Sequence, residues 1–104
     1  MSTVRTLLEA EDELYDAAAY YERRVPGLGI RLIGEVDAAL EVIAERPRGF
    51  QKWREDRDYR RFALRRFPYV IFYVCPEDGN DVLVVAIAHA KRRPGYWLSR
   101  VGDG

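Results

Sequence analysis

Two consecutive helical patterns, separated by one tight break, constrain the fold of this chain more than any other feature. Apolar side chains recur at helical spacing within residues 9–24, and a longer apolar stripe runs from Leu28 to Ile43. Val25-Pro26-Gly27 separates the two patterns, and Pro47 ends the second one. An amphipathic helix is stable in a protein when its apolar side is buried. The pattern therefore predicts an αα-hairpin that lies on a further apolar layer.

The second half of the chain supplies that layer as β-strands. Strand-like runs extend over residues 59–65 and 69–75, and the uninterrupted apolar run Val82 to Ala88 predicts a buried strand. Asp78-Gly79 is a turn signal between the last two strands, and residues 3–7 give a weak first strand. The order β-α-α-β-β-β predicts an α+β fold, with the helical hairpin packed on one face of a small antiparallel sheet.

The length and the composition indicate one small domain. A chain of 104 residues can bury one core but not two, so we expect a single domain over residues 1–104, with a loose tail over residues 98–104. No apolar run could span a membrane, and residues 1–5 lack the apolar segment of a signal peptide. Cys75 is the only cysteine, and one Cys with one His cannot form a usual zinc site. We expect a cytoplasmic protein with no metal and no cofactor.

Charge is distributed unevenly along the chain, although the formal sum is zero. Residues 1–45 carry four arginines and ten acidic residues, whereas residues 46–104 carry thirteen cations and seven acidic residues. Fifteen of the seventeen cations are arginine, which suits forked contacts with carboxylates and phosphates. The two halves could neutralise each other across the fold, or the second half could present a basic face to nucleic acid or to an acidic protein partner.

The segment after the last strand combines cations, a turn and two large aromatic residues. Its sequence is Ala88-His89-Ala90-Lys91-Arg92-Arg93-Pro94-Gly95-Tyr96-Trp97. Arginines bind phosphates and carboxylates, and tyrosine and tryptophan are enriched at protein interfaces. We therefore expect a target-binding surface made of Arg92, Arg93, Tyr96 and Trp97. The alternative is that Trp97 caps the core while the arginines are solvated.

His89 is the only histidine of the chain. At a spacing of two it shares a strand face with Leu83, Val85 and Ile87. An imidazole hydrogen-bonded to the backbone at the end of a strand would be satisfied there. We therefore predict that His89 is structural and not a catalytic base.

Three motifs occur in a characteristic order: Pro26-Gly27-Leu28-Gly29, Phe67-Pro68-Tyr69 and the closing segment from His89 to Trp97. Together, over residues 4–100, they resemble the RelE/ParE superfamily of type II toxin–antitoxin toxins. The resemblance implies a growth-inhibiting toxin that forms a hetero-oligomer with a cognate antitoxin. The residues expected to bind the antitoxin are Arg61, Arg65 and Tyr69.

The superfamily contains two activities with different chemistry. RelE-like members cleave mRNA at the ribosome, and the candidate catalytic residues here would be Arg61, Arg65, Lys91, Arg92 and Tyr96. However, Ala63 and Val70 stand where RelE-like members tend to carry cations, which weakens that interpretation. ParE-like members bind DNA gyrase, trap its cleaved complex with DNA and catalyse nothing themselves. The sequence favours this branch, with an mRNA endoribonuclease as the alternative.

Overall fold

Four strands and two helices follow one another in the order predicted from the sequence. The computed structural model describes residues 2–54, 57–75 and 81–102. The elements are β1 (Thr3–Thr6), α1 (Leu8–Arg24), α2 (Leu28–Glu45), β2 (Tyr59–Ala63), β3 (Tyr69–Val74), β4 (Asp81–His89) and a 3-10 helix (Leu98–Val101). The predicted α+β fold with a helical hairpin is confirmed. The predicted Asp78-Gly79 turn lies outside the described residues.

The junction of the two helices explains the Pro-Gly-Leu-Gly motif. Gly27 has a φ of 89°, a left-handed conformation that glycine adopts without strain. A side chain at Gly29 would collide with the carbonyl oxygen of Ala18, so the helices approach closely here. The Glu22 carboxylate accepts hydrogen bonds from the backbone N–H of Gly27 (2.7 Å) and of Gly29 (3.0 Å). The bond from Gly27, assisted by the one from Gly29, holds the pKa of Glu22 below its usual value.

The sheet has the order β1-β4-β3-β2 and is mixed, not wholly antiparallel. β2, β3 and β4 are antiparallel to their neighbours, whereas β1 pairs with β4 in parallel. The sequence could not indicate this pairing because the two strands are separated by most of the chain. β2 also ends two residues earlier than predicted, since Leu64 already donates its N–H to the Tyr69 carbonyl (2.9 Å). Arg65 therefore lies in the β2–β3 turn and not on a strand.

A β-bulge changes which side chains of β4 face the helices. The register shifts by one residue between the pairs that β4 makes with Phe72 and Tyr73. As a result Ile87 packs in the core beneath the helices, whereas Leu83 and Val85 pack on the outer face of the sheet. The expectation that these three residues share one face was therefore wrong, because simple alternation does not continue through a bulge.

The outer face of the sheet is covered by the C-terminal segment. A second apolar cluster forms there around Tyr59, Phe72 and Trp97, with Trp53 packed against it. Within the predicted loose tail, Leu98–Val101 forms the 3-10 helix, and residues 103–104 lie outside the described residues. The C-terminal segment lies on this face because the chain folds back there and buries Trp97 completely.

Candidate functional site

A small basic hollow lies on the outer face of the sheet, where β4 ends. We call it the outer hollow; its charged and aromatic lining consists of Trp53, Arg61, Phe72, His89, Arg92, Arg93 and Tyr96. β2 contributes Arg61, and the turn after β4 contributes the arginine pair. With a volume of about 170 Å³, the outer hollow is smaller than a typical small-molecule site. It can accept a carboxylate or a phosphate group, but not a whole cofactor.

The cations of the outer hollow are only partly compensated. Among residues 2–54, 57–75 and 81–102, no ion pair or hydrogen bond involves the guanidinium of Arg61 or of Arg93. Arg92 is 55% exposed, and its Nη1 lies 3.8 Å from Oε2 of Glu13. Unpaired like charges around one concavity give it a positive potential. The outer hollow therefore attracts anionic groups.

Glu13, on α1, organises the wall of this hollow. Arg100 donates from Nη1 to Glu13 Oε1 (2.9 Å) and from Nη2 to Oε2 (3.1 Å), a bidentate pair. The Tyr96 hydroxyl donates to Oε2, and the Ile87 backbone N–H donates to Oε1 at 3.1 Å. The side chains of Glu13 and Arg100 are only 15% and 17% exposed, so these bonds are well shielded from water. One carboxylate thus ties α1, β4 and the C-terminal segment together.

The same network fixes Tyr96 and, through it, Arg92. The Arg92 guanidinium stacks over the Tyr96 ring, 3.8 Å from its centroid. Burial, together with the hydrogen bond to Glu13, raises the pKa of Tyr96 well above its usual value. The phenol is therefore neutral at physiological pH, and its hydroxyl donates its hydrogen bond to Glu13. Tyr96 lines the outer hollow with its ring, over which the Arg92 guanidinium stacks.

Sequence reasoning did not single out Glu13. A signal was nevertheless present in its position. Glu13 lies three residues after Ala10 and four before Ala17, both of which are buried, so it sits on the apolar side of the helix. An acidic residue at such a position needs a cationic or hydrogen-bonding partner.

Trp97 does not have the position expected of an exposed interface anchor. It is 0% exposed, and its ring packs against Tyr59, Trp53 and Phe72 at centroid distances of 4.9, 5.1 and 5.3 Å. The alternative considered from the sequence, that Trp97 caps the core, is the one the structure shows. The physical reason is the uncovered outer face of the sheet, whose apolar side chains need a large partner.

The structure brings together only part of the set of candidate ribonuclease residues. Arg61, Arg92 and Tyr96 line the outer hollow, and Lys91 is exposed in the adjoining turn. Arg65 lies elsewhere, in the β2–β3 turn beside the helices. The same separation divides the expected antitoxin contacts, Arg61, Arg65 and Tyr69. Tyr69 lines a third concavity, between α1 and the end of β4.

His89 is held by two local contacts at the end of β4. Its Nδ1 accepts the backbone N–H of Lys91 at 3.1 Å. Its ring meets the Tyr69 ring edge to face, with 5.3 Å between the centroids. These contacts support the predicted structural role, which remains to be tested by substitution.

Arg65 belongs to a second concavity, which we call the hairpin hollow. It opens between the helical hairpin and the β2–β3 turn, and its charged lining consists of Arg31, Glu35, Arg65 and Arg66. Its apolar lining comes from Tyr21, Leu28, Phe67 and Pro68. Tyr21 and Phe67 belong to the core beneath the helices, whereas Phe72 of the outer hollow belongs to the outer cluster. The two hollows are therefore associated with different faces of the sheet.

Neither a metal centre nor a membrane span is evident in the part of the chain that the structure describes. No group of three or more His, Cys, Asp or Glu side chains there could hold a metal ion. Of the helices described, none combines the length and the apolar character needed to cross a bilayer.

Comparisons of the sequence with known proteins find a matching family and a related putative toxin. The family model described as "ParE toxin of type II toxin-antitoxin system, parDE" matches residues 4–94. A Sinorhizobium fredii protein named "Putative toxin Y4kP" is 27% identical over 90 residues, which cover 86% of this chain and 90% of that protein.

Two solved structures share the fold. A chain of the structure titled "Chromosomal ParDE TA system from P. aeruginosa" superposes with a TM-score of 0.73 at 14% identity, covering 86% of this chain and 96% of that chain. The RelBE2 toxin–antitoxin complex from Mycobacterium tuberculosis gives a TM-score of 0.55 at 21% identity, with 85% and 96% covered. At such identities these likenesses establish the fold alone.

Proposed function

The chain belongs to the ParE toxin family of type II toxin–antitoxin systems, and on this premise we propose that it arrests growth by binding DNA gyrase. In this proposal it acts in the cytoplasm, contributes no catalysis of its own and is neutralised by a cognate antitoxin. The resemblance to ParE-like toxins supports gyrase as the target. The geometry of the outer hollow supports binding, in preference to cleavage, as the mode of action.

One observation carries the choice of binding over cleavage. RNA cleavage through a 2′-hydroxyl needs a base, an acid and cations gathered around one phosphate. Here the Tyr96 hydroxyl already donates a hydrogen bond to Glu13, and Arg65 lies outside the outer hollow. A phenol bonded to a carboxylate is a poor proton donor to a leaving oxygen, because transfer would first break that bond. The residues present are better suited to holding an anionic partner.

The target-binding surface we propose consists of Arg61, Arg92, Arg93 and the ring of Tyr96. Arg61 and Arg93 have unpaired guanidinium groups, and Arg92 is already ordered on Tyr96. Arginine binds carboxylates and phosphates in a forked geometry. A side chain that is ordered before binding loses less conformational entropy in the complex, which raises the affinity. The surface therefore fits an acidic protein segment or a DNA phosphate of the gyrase complex.

Growth on induced expression tests this assignment. We expect the wild-type chain to arrest growth and the double variant Arg92→Ala/Arg93→Ala to lose toxicity, because the surface loses two of its three arginines. Arg65→Ala should stay toxic, since this residue lies outside the surface, and so should Arg23→Ala, an exposed arginine of α1 that serves as the matched control. Loss of toxicity in Arg65→Ala as well as in the double variant would replace the proposal with the ribonuclease alternative, for which Arg65 and Arg92 are both candidate catalytic residues.

A further inference from the structure

The third concavity, between α1 and the end of β4, shares part of its wall with the outer hollow. Ala88, His89 and Arg92 line both of them. Arg92 stands at the boundary, because its guanidinium stacks over the Tyr96 ring and also approaches Glu13. A partner seated in the outer hollow can therefore extend round the end of β4 into the third concavity.

The two neighbouring concavities differ in the charges that line them. Among the described residues, three arginines and no acidic side chain line the outer hollow. The third concavity has a volume of about 300 Å³, enough for one long side chain, and is lined by the carboxylates of Glu13 and Asp16 as well as by Arg92. The shared wall thus separates a cationic place from one that contains acidic groups.

One carboxylate of the third concavity is saturated and the other is free. Glu13 already accepts hydrogen bonds from Arg100, Tyr96 and the Ile87 backbone. Within residues 2–54, 57–75 and 81–102, the Asp16 side chain has no ion pair and no hydrogen bond. An unpaired carboxylate at the edge of a concavity attracts a cationic group.

Two tyrosine hydroxyls complete a set of hydrogen-bond acceptors around this place. Tyr20 and Tyr69 line the third concavity, and neither hydroxyl has a hydrogen-bond partner in the part of the chain that the structure describes. Their rings are already engaged, since Arg24 lies 4.4 Å from the centroid of Tyr20 and His89 meets the ring of Tyr69. A lysine ammonium carries three N–H donors and an arginine guanidinium five, and neither group accepts a hydrogen bond. The Asp16 carboxylate and the two hydroxyls supply matching acceptors.

We propose that the third concavity binds a cationic side chain, lysine or arginine, of the target protein, next to the acidic group that the outer hollow binds. That this side chain belongs to the target rests on the function proposed above; its positive charge rests on the lining of the concavity. DNA offers phosphates but no cationic group, so a DNA phosphate would fill the outer hollow alone. The two concavities together therefore select a protein segment that carries a carboxylate close to a lysine or arginine. Opposite charges side by side also fix the direction in which this segment lies.

Binding of the purified chain to gyrase in the absence of DNA tests the cation site. Asp16→Lys places a like charge where the cationic side chain binds, and we expect it to bind gyrase about 10- to 100-fold more weakly than wild type. Asp16→Asn removes the charge with little change of shape and should give an intermediate loss. Asp37→Lys, the same change at an exposed position of α2, is the matched control and should bind like wild type.

A second pair of variants tests the hydroxyls without any change of charge. Tyr20→Phe/Tyr69→Phe removes both hydroxyls and keeps both rings, and it should bind gyrase about 3- to 10-fold more weakly. Tyr15→Phe, at an exposed tyrosine of α1 that does not line the third concavity, should have no effect. Melting temperatures verify that each variant is folded.

The possible outcomes separate the cation site from the proposed function. If Asp16→Lys and the tyrosine double variant bound gyrase as tightly as their controls, the cation site would be wrong and the proposed toxin function would stand. If the wild-type chain bound gyrase only together with DNA, and Asp16→Lys bound that complex more tightly, the third concavity would hold a phosphate and the cation site would again be wrong. If Asp16→Lys lost growth arrest and Asp37→Lys kept it, while the wild-type chain had no effect on gyrase, the cation site would stand for another protein target and the gyrase proposal would fail.

Discussion

At the scale of single residues, Glu13 is the one side chain on which the candidate site depends most. It receives hydrogen bonds from Arg100 and Tyr96 of the C-terminal segment and from the Ile87 backbone of β4. The Ile87 N–H lies on the edge of β4 beyond the end of β1, where none of the described strands pairs with it. Glu13 thus replaces a strand partner and at the same time orients the proposed target-binding surface.

We predict that Glu13→Ala lowers the free energy of unfolding by about 2 kcal/mol, because it leaves the Arg100 guanidinium and the Ile87 N–H without their shielded partner. Glu13→Gln keeps one oxygen acceptor and should lower the free energy of unfolding by less than Glu13→Ala does. Glu11→Gln, an equal change of charge at an exposed position of α1, should be close to neutral. Urea unfolding of the variants measures these differences. If Glu13→Gln and Glu11→Gln changed the free energy of unfolding equally, the hydrogen bonds of Glu13 would contribute nothing to stability beyond its charge.

At the scale of elements, the helical hairpin was the most predictable part of the fold and β4 the least. Helical periodicity is local, so α2 extends over Leu28–Glu45 as its apolar stripe and Pro47 indicate. The β-bulge at Val85 and the parallel pairing of β1 depend on residues that are distant in the sequence. The same holds for Trp97, whose burial depends on an outer sheet face that exists only after the strands have paired.

The two glycines of α2 offer a matched pair of substitutions at the hairpin. Gly29→Ala should destabilise the protein strongly, because the new methyl group would collide with the Ala18 carbonyl and force the helices apart. Gly34→Ala, five residues further along the same helix, meets nothing within 4 Å. It should stabilise the protein by about 1 kcal/mol through helix propensity alone. Thermal unfolding of the two variants checks both signs, and a stabilising Gly29→Ala would refute the close approach.

The helix junction should also give the protein a specific acid sensitivity. The hydrogen bonds from Gly27 and Gly29 lower the pKa of Glu22 in the folded state. Its contribution to stability is therefore complete above the usual pKa of 4.5 and is lost as the pH falls below that value towards the folded-state pKa. The melting temperatures of wild type and Glu22→Gln should differ by a constant amount from pH 7 to about pH 6 and converge below pH 4.5. A difference that widens on acidification would mean that the junction bonds do not favour the ionised form.

At the scale of the whole molecule, the fold separates two basic concavities that the sequence presented as one basic half. The charge count indicated a basic second half, and the segment after the last strand suggested Arg92 and Arg93 as target-binding residues, which stays a prediction. Neither pattern could show that Arg61 joins them in the outer hollow while Arg65 lies with Arg31 in the hairpin hollow. That division follows from the end of β2 at Ala63 and from the position of the β2–β3 turn beside the helices.

The two concavities share no lining residue. The outer hollow is the surface proposed above for the target, and the hairpin hollow is a second basic concavity with arginines of its own. Residues of one surface can therefore be changed without altering the other. The proposed function requires that the outer hollow binds gyrase and does not support cleavage of RNA.

The most direct measurement is the supercoiling of relaxed plasmid by purified gyrase in the presence of the purified chain, run beside an mRNA-cleavage assay on ribosomes. We predict that the wild-type chain inhibits supercoiling and accumulates cleaved DNA. The Arg92→Ala/Arg93→Ala variant should need a concentration about 10-fold higher or more, and Arg23→Ala should match wild type. Undiminished supercoiling at concentrations of the chain that cut mRNA on the ribosome would contradict the account.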